Sequence, residues 1–151
     1  MDPRLAHARK ILRKTEETLG ISSASTQGHL ILEVPNNAEI ILHAAHNFWH
    51  EEQWAAFVET PNIGWNAAHN IGLDLDHILI IPQTYGQGAR ILTHLIGAVG
   101  LLCVGASIPI KSHTRLAAQA RKSNTIILTL HPWIGISRPW RDHSIHIHKA
   151  V

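Results

Sequence analysis

The stretch His29-Leu30-Ile31-Leu32-Glu33-Val34-Pro35-Asn36-Asn37-Ala38-Glu39-Ile40 decides the fold. An apolar run over His29–Val34 reads as a strand, Pro35 to Asn37 as a turn, and the residues from Ala38 onward as a helix. A helix over Ala38–Glu52 places Ile41, Ala44, Ala45, Phe48 and Trp49 on one stripe. A strand, a tight turn and an amphipathic helix open a βα unit. At such a junction a phosphate-binding loop needs glycines, so that backbone N–H groups can wrap the phosphates, and a Lys and a Ser or Thr besides. Residues 34–40 contain none of these. The degenerate segment is Pro35, Asn36, Asn37, Ala38 and Glu39, and Glu39 brings negative charge to the helix end that would attract phosphate.

The same alternation continues outward. Further strands are expected at Trp54–Glu59, His77–Ile81, Val99–Val104 and Asn124–Leu130, and further helices at Asn62–Ile71, Gln87–Ile96 and Lys111–Lys122. Asn62 is the expected N-cap of its helix and Gly72 its stop. The strands are continuous apolar runs, as when both sheet faces are covered by helices. The fold class is therefore α/β, a doubly wound and mostly parallel sheet. Residues 3–19 read as an amphipathic helix and residues 22–27 as a polar linker, so residues 1–27 precede a single globular domain over 28–151. Ser144 to His148 alternates with period two and fits an added edge strand.

At 151 residues and 45% hydrophobic, the chain can bury a core of its own. No apolar run reaches the roughly 18 to 20 residues that cross a bilayer. Met1 to Leu19 is charged and lacks the apolar core of a signal peptide. The one cysteine, Cys103, lies in an apolar run and reads as a buried residue in a reducing cytoplasm. Net charge is only +2, but residues 20–89 hold no Lys or Arg, whereas residues 90–151 hold eight and a single acid, Asp142. Such asymmetry can orient a partner.

Several segments carry a resemblance. Ile71-Gly72-Leu73-Asp74-Leu75-Asp76-His77-Ile78-Leu79 and Ser123-Asn124-Thr125-Ile126-Ile127-Leu128 resemble two segments of the RecA core, in order, between Gly28 and about Trp133. Gly72 to Pro82, Leu101 to Gly105, Pro109 to Arg121 and Thr125 to Trp133 are similar to the RecA-like accessory proteins of the bacterial mutasome, the ImuA type in its short actinobacterial form. That resemblance implies a RecA-like core and a role beside an error-prone, polymerase-type partner in translesion synthesis, part of the SOS response to DNA damage. It also implies where catalytic groups should stand. The Walker B acid should end Leu101-Leu102-Cys103-Val104, where Gly105 stands instead. Glu59 is shifted from the expected catalytic acid, and His131-Pro132 replaces the polar pair after the last core strand. The expectation is a pseudo-ATPase with no catalytic residues and no cofactor.

Other chemistries have weaker support. His43, His46 and His50 at i, i+3, i+7 form workable metal-ligand spacings, yet nothing completes a four-ligand set, so no metal is expected. There is no G-x-S-x-G elbow, and Ser107, Ser112 and His113 fit capping roles. The segment after the last core strand is aromatic and basic. Trp133, Arg138, Trp140 and Arg141 are the candidate partner-binding residues, because Trp and Arg dominate interface hot spots and can stack on single-stranded bases. Trp49, Trp54 and Trp65 are expected in the core. The leading functional expectation is a non-catalytic cytoplasmic adaptor. Two alternatives stand beside it: a cell-division inhibitor resembling the SulA type that binds FtsZ, and a DNA-binding accessory protein whose affinity falls steeply with salt.

Overall fold

A computed structural model describes residues 31–50 and 52–141. The expected N-terminal helix, the linker and the 144–148 edge strand lie outside these residues. Six parallel strands form one sheet: β1 (Ile31–Glu33), β2 (Ala55–Val58), β3 (Ile78–Ile81), β4 (Leu101–Val104), β5 (Ile126–Thr129) and β6 (Arg138–Pro139). Their order across the sheet is β3-β2-β4-β5-β1-β6. The helices are α1 (Ala38–Phe48), α2 (Trp65–Asn70), α3 (Gly88–Leu95) and α4 (Ile110–Ser123). A 3-10 turn, Leu75–His77, leads into β3. This six-stranded all-parallel sheet flanked by helices is consistent with a RecA-like doubly wound α/β fold.

Strand alternation splits the core in two. Ala55, Phe57, Leu101, Cys103 and Leu128 face α1 and α2, whereas Ala56, Val58, Leu102, Val104 and Ile127 face α3 and α4. Phe57 is fully buried and meets Trp65 of α2 edge to face, with ring centroids 5.3 Å apart. Such a ring contributes about 3 kcal/mol by burial. On α1 the stripe Ile41, Ala44 and Ala45 is fully buried, with Phe48 and Trp49 packed partly against the same core. On α4 it is Ser112, His113, Leu116 and Ala120. Asn124 ends α4 in the left-handed conformation, φ 56°, which asparagine tolerates at a helix C-terminus.

The end of α1, the start of α2 and the exposure of Trp54 differ from expectation. Helix α1 stops at Phe48, because Trp49 turns to extended backbone and its indole Nε1–H donates to the Gln53 carbonyl. His50 therefore leaves the helical face that His43 and His46 occupy. Helix α2 begins only after Gly64, so Asn62 is not its cap. Trp54 is 46% exposed, not core, because it precedes the strand whose buried residues start at Ala55.

Candidate functional site

In open α/β sheets ligands bind beyond the carboxyl ends of the strands, where neighbouring strands send their helices to opposite faces. Here β2 leads to α2 on one face, while its neighbour β4 leads to α4 on the other. The crevice should open between Glu59 and Gly105. It is closed. The Gly105 N–H donates to the Val58 carbonyl at 2.7 Å, and a Cβ on Gly105 would overlap the Glu59 carbonyl oxygen. Gly105 thus stands where the resemblance puts a metal-linked acid, and no side chain fits there. Glu59 adopts φ 52°, a left-handed conformation that is costly for a residue with a Cβ. Its carboxylate accepts from the buried Thr84 hydroxyl at 2.5 Å.

The turn after β1 also bonds to its own chain. The Asn37 side-chain oxygen accepts from the Ile40 N–H at 3.1 Å, the Asn37 N–H donates to the Pro35 carbonyl, and the Val34 N–H donates to Thr129. The N–H donors of Val34, Asn37 and Ile40 are thus used within the protein, and Glu39 sits in the first helical turn.

Beyond β5 the chain folds back to become β6. Trp133 is fully buried and lies stacked on His113, centroids 4.7 Å apart and rings 5° from parallel. The Trp133 N–H donates to Ser137 Oγ, and Ser137 donates to the Glu33 carboxylate at 2.7 Å. His113 Nε2 is 2.8 Å from the Ile108 carbonyl. The expectation that Trp133 is an exposed partner-binding residue is corrected: it anchors the loop to the core. Its indole Nε1 is buried without a hydrogen-bond partner. Trp140 is half-buried against Phe48, with centroids 6.5 Å apart, while Arg138 and Arg141 are exposed. Ile134, 80% exposed, joins them on the surface.

A cleft of about 550 Å³ lies at the opposite, amino-terminal end of the strands. His46, His50, His77, Asp74 and Trp49 are among its walls. Asp74 accepts from His77 Nδ1 at 2.5 Å and also from the Asp76 N–H. His43 is not among the lining residues. Among the described residues no group of three or more His, Cys, Asp or Glu is arranged to hold a metal ion. The Asp74–His77 pair is absent from the sequence reading. Its signal, an acid three residues before a histidine, is too common to single out. Cys103 is buried in β4, and burial pushes its thiol well above the ordinary range.

Fold and site together define a class: a doubly wound, all-parallel α/β domain, consistent with a RecA-like fold, whose β2–β4 junction is closed by its own backbone. The chain belongs to the MT3502 N-terminal domain family, which it matches over residues 22–135. That match carries neither the ImuA nor the RecA name. No curated protein matches the chain. No helix among the described residues is long and apolar enough to cross a membrane.

Proposed function

We propose that this chain is a non-catalytic RecA-like adaptor in DNA-damage tolerance, acting in the cytoplasm and binding an error-prone polymerase-type partner. The observation that carries the reading is the sealed β2–β4 junction. Gly105 packs its backbone against Glu59 where a nucleotide hydrolase needs an acid and an open crevice. A RecA-like frame that no longer has room for that chemistry keeps its surfaces. The surface best suited to a partner is the return segment, where Ile134, Arg138 and Arg141 are exposed around the half-buried Trp140.

Two measurements test this. Calorimetry with ATP and ADP is expected to give no binding, and micromolar affinity would return an ATP-regulated role. Affinity capture from DNA-damaged cells is expected to recover a polymerase-type mutasome protein. The paired substitutions Arg138→Glu and Arg141→Glu are expected to abolish that capture without changing the melting temperature. Recovery of FtsZ instead, with filamentation on overexpression, would replace this reading with the cell-division one.

A further inference from the structure

The cleft at the amino end of the strands is acidic. Glu52 and Asp74 line it, Trp49 and Leu73 give it apolar wall, and among the described residues no Lys or Arg reaches it. Asp76 stands exposed beside it, in the turn that leads to His77. Among the described residues the Asp74 ion pair is with His77, and none joins Glu52 or Asp74 to Lys or Arg. Apolar surface is left on the rim: Trp54 is 46% and Leu75 39% exposed, with the Trp54 ring against His77. An occupant that complements this surface is cationic and has an apolar side.

The chain carries such a segment. Residues 1–19 hold Arg4, Arg9, Lys10, Arg13 and Lys14, whereas residues 20–89 hold no Lys or Arg. As a helix, residues 3–19 put Leu5, Ala8, Leu12 and Leu19 on one stripe, bordered by Arg9 and Arg13 on one side and Arg4 on the other. Its place of entry is fixed by the sheet. All strands are parallel, so the chain comes into β1 at the amino end, where the cleft lies. The register sets Ile31 within one residue of the level of Ile78. Strand β1 is four strand spacings from β3, about 19 Å. Residues 20–30 can span up to about 40 Å, ample for that distance.

We propose that residues 3–19 dock as a helix in the amino-end cleft of their own chain. The apolar stripe covers Trp49, Trp54 and Leu75, and the bordering arginines face Glu52, Asp74 and Asp76. The other tail suits the cleft less well. Residues 142–151 leave from beyond β6, where the Trp140 N–H donates to the Glu33 carbonyl at the carboxyl end of β1, and they hold one Lys against one Asp. The same segment from a second copy has the right chemistry, but a short tether raises the effective concentration of the chain's own segment to the order of millimolar. A ligand of the cleft then has to displace this helix. The proposal is independent of the adaptor reading.

Hydrogen exchange on the full chain, read segment by segment, tests it. An undocked helix of this length is marginal in water, so protection of residues 3–19 reports docking. Their amides are expected to exchange at least about tenfold more slowly than open-chain amides. Glu52→Lys combined with Asp76→Lys, both at exposed positions, is expected to remove that protection while β4 stays protected. Adding Arg9→Glu and Arg13→Glu to that pair is expected to restore it. Leu12→Asp is expected to speed exchange in residues 3–19 and in the cleft walls, 46–53 and 72–77, together. Fast exchange of residues 3–19 in the unsubstituted chain overturns the proposal. So does protection that survives the two lysines, or a Leu12→Asp effect confined to residues 3–19. Protection lost on dilution, with a mass of twice 16.8 kDa by light scattering before it, overturns the same-chain contact and assigns the cleft to a second copy's segment. Should the lysine variant lose protection in β4 as well, the Leu12→Asp result decides alone.

Discussion

The two ends of the strands differ in how they use space. At the carboxyl end, where doubly wound sheets ordinarily hold ligands, backbone meets backbone: Gly105 against Glu59, Asn37 folded onto its own helix, Trp133 sunk beneath the return loop. At the amino end a cleft of about 550 Å³ stays open among His46, His50 and His77. A fold that keeps its topology can reverse which end is dense and which is hollow. At the carboxyl end the β2–β4 junction and the turn after β1 are thus occupied by the chain's own groups.

The sharpest way to break the comparison is to put the acid back. Gly105→Asp is expected to cost about 4 kcal/mol or more, at the severe end for single substitutions, because the new Cβ displaces the Glu59 carbonyl. Chemical denaturation measures it, and an Asp variant of ordinary stability would mean the junction is not sealed. Trp133→Ala is expected to lose about 3–5 kcal/mol, the range for a fully buried large aromatic. A fall in melting temperature of only a degree or two would place Trp133 at the surface. Asn37→Ala removes the cap of α1 and is expected to cost about 1 kcal/mol, with Asn37→Asp close to neutral. At the amino end, Asp74→Asn is expected to change stability by less than about 1 kcal/mol, since both partners of the Asp74–His77 pair are substantially exposed. A larger loss there would show the cleft wall to be structural.

The alternation of apolar runs with helical stripes made the sheet legible, because burial on both faces leaves a strand nothing but apolar residues. The strands at 31–33, 55–58, 78–81, 101–104 and 126–129 fall within the expected segments. β6 was not legible: Arg138-Pro139 has no strand signal, and pairing with β1 places it. The burial of Trp133 depends on Glu33, distant in sequence, through Ser137, and on the ring of His113, so a window around Trp133 sees only arginines and an exposed loop. The missing acid at Gly105 could be read from the chain. That no side chain fits there could not, because the obstacle is the backbone of another strand. The sequence likewise shows β3 as an ordinary apolar strand. Its place at the edge is a matter of strand order.

Cys103 is the chain's one cysteine, in a central strand between β2 and β5, and its thiol is held protonated by burial. A thiol reagent reaches it only when that central strand comes apart. Its labelling rate in excess reagent is therefore a clock on global opening, set in the protein without any added probe. Substitutions that loosen only the rim of the sheet leave the clock unchanged. Those that undo the junction at Gly105 make it run faster, so one chemical signal separates frayed margins from a failing centre.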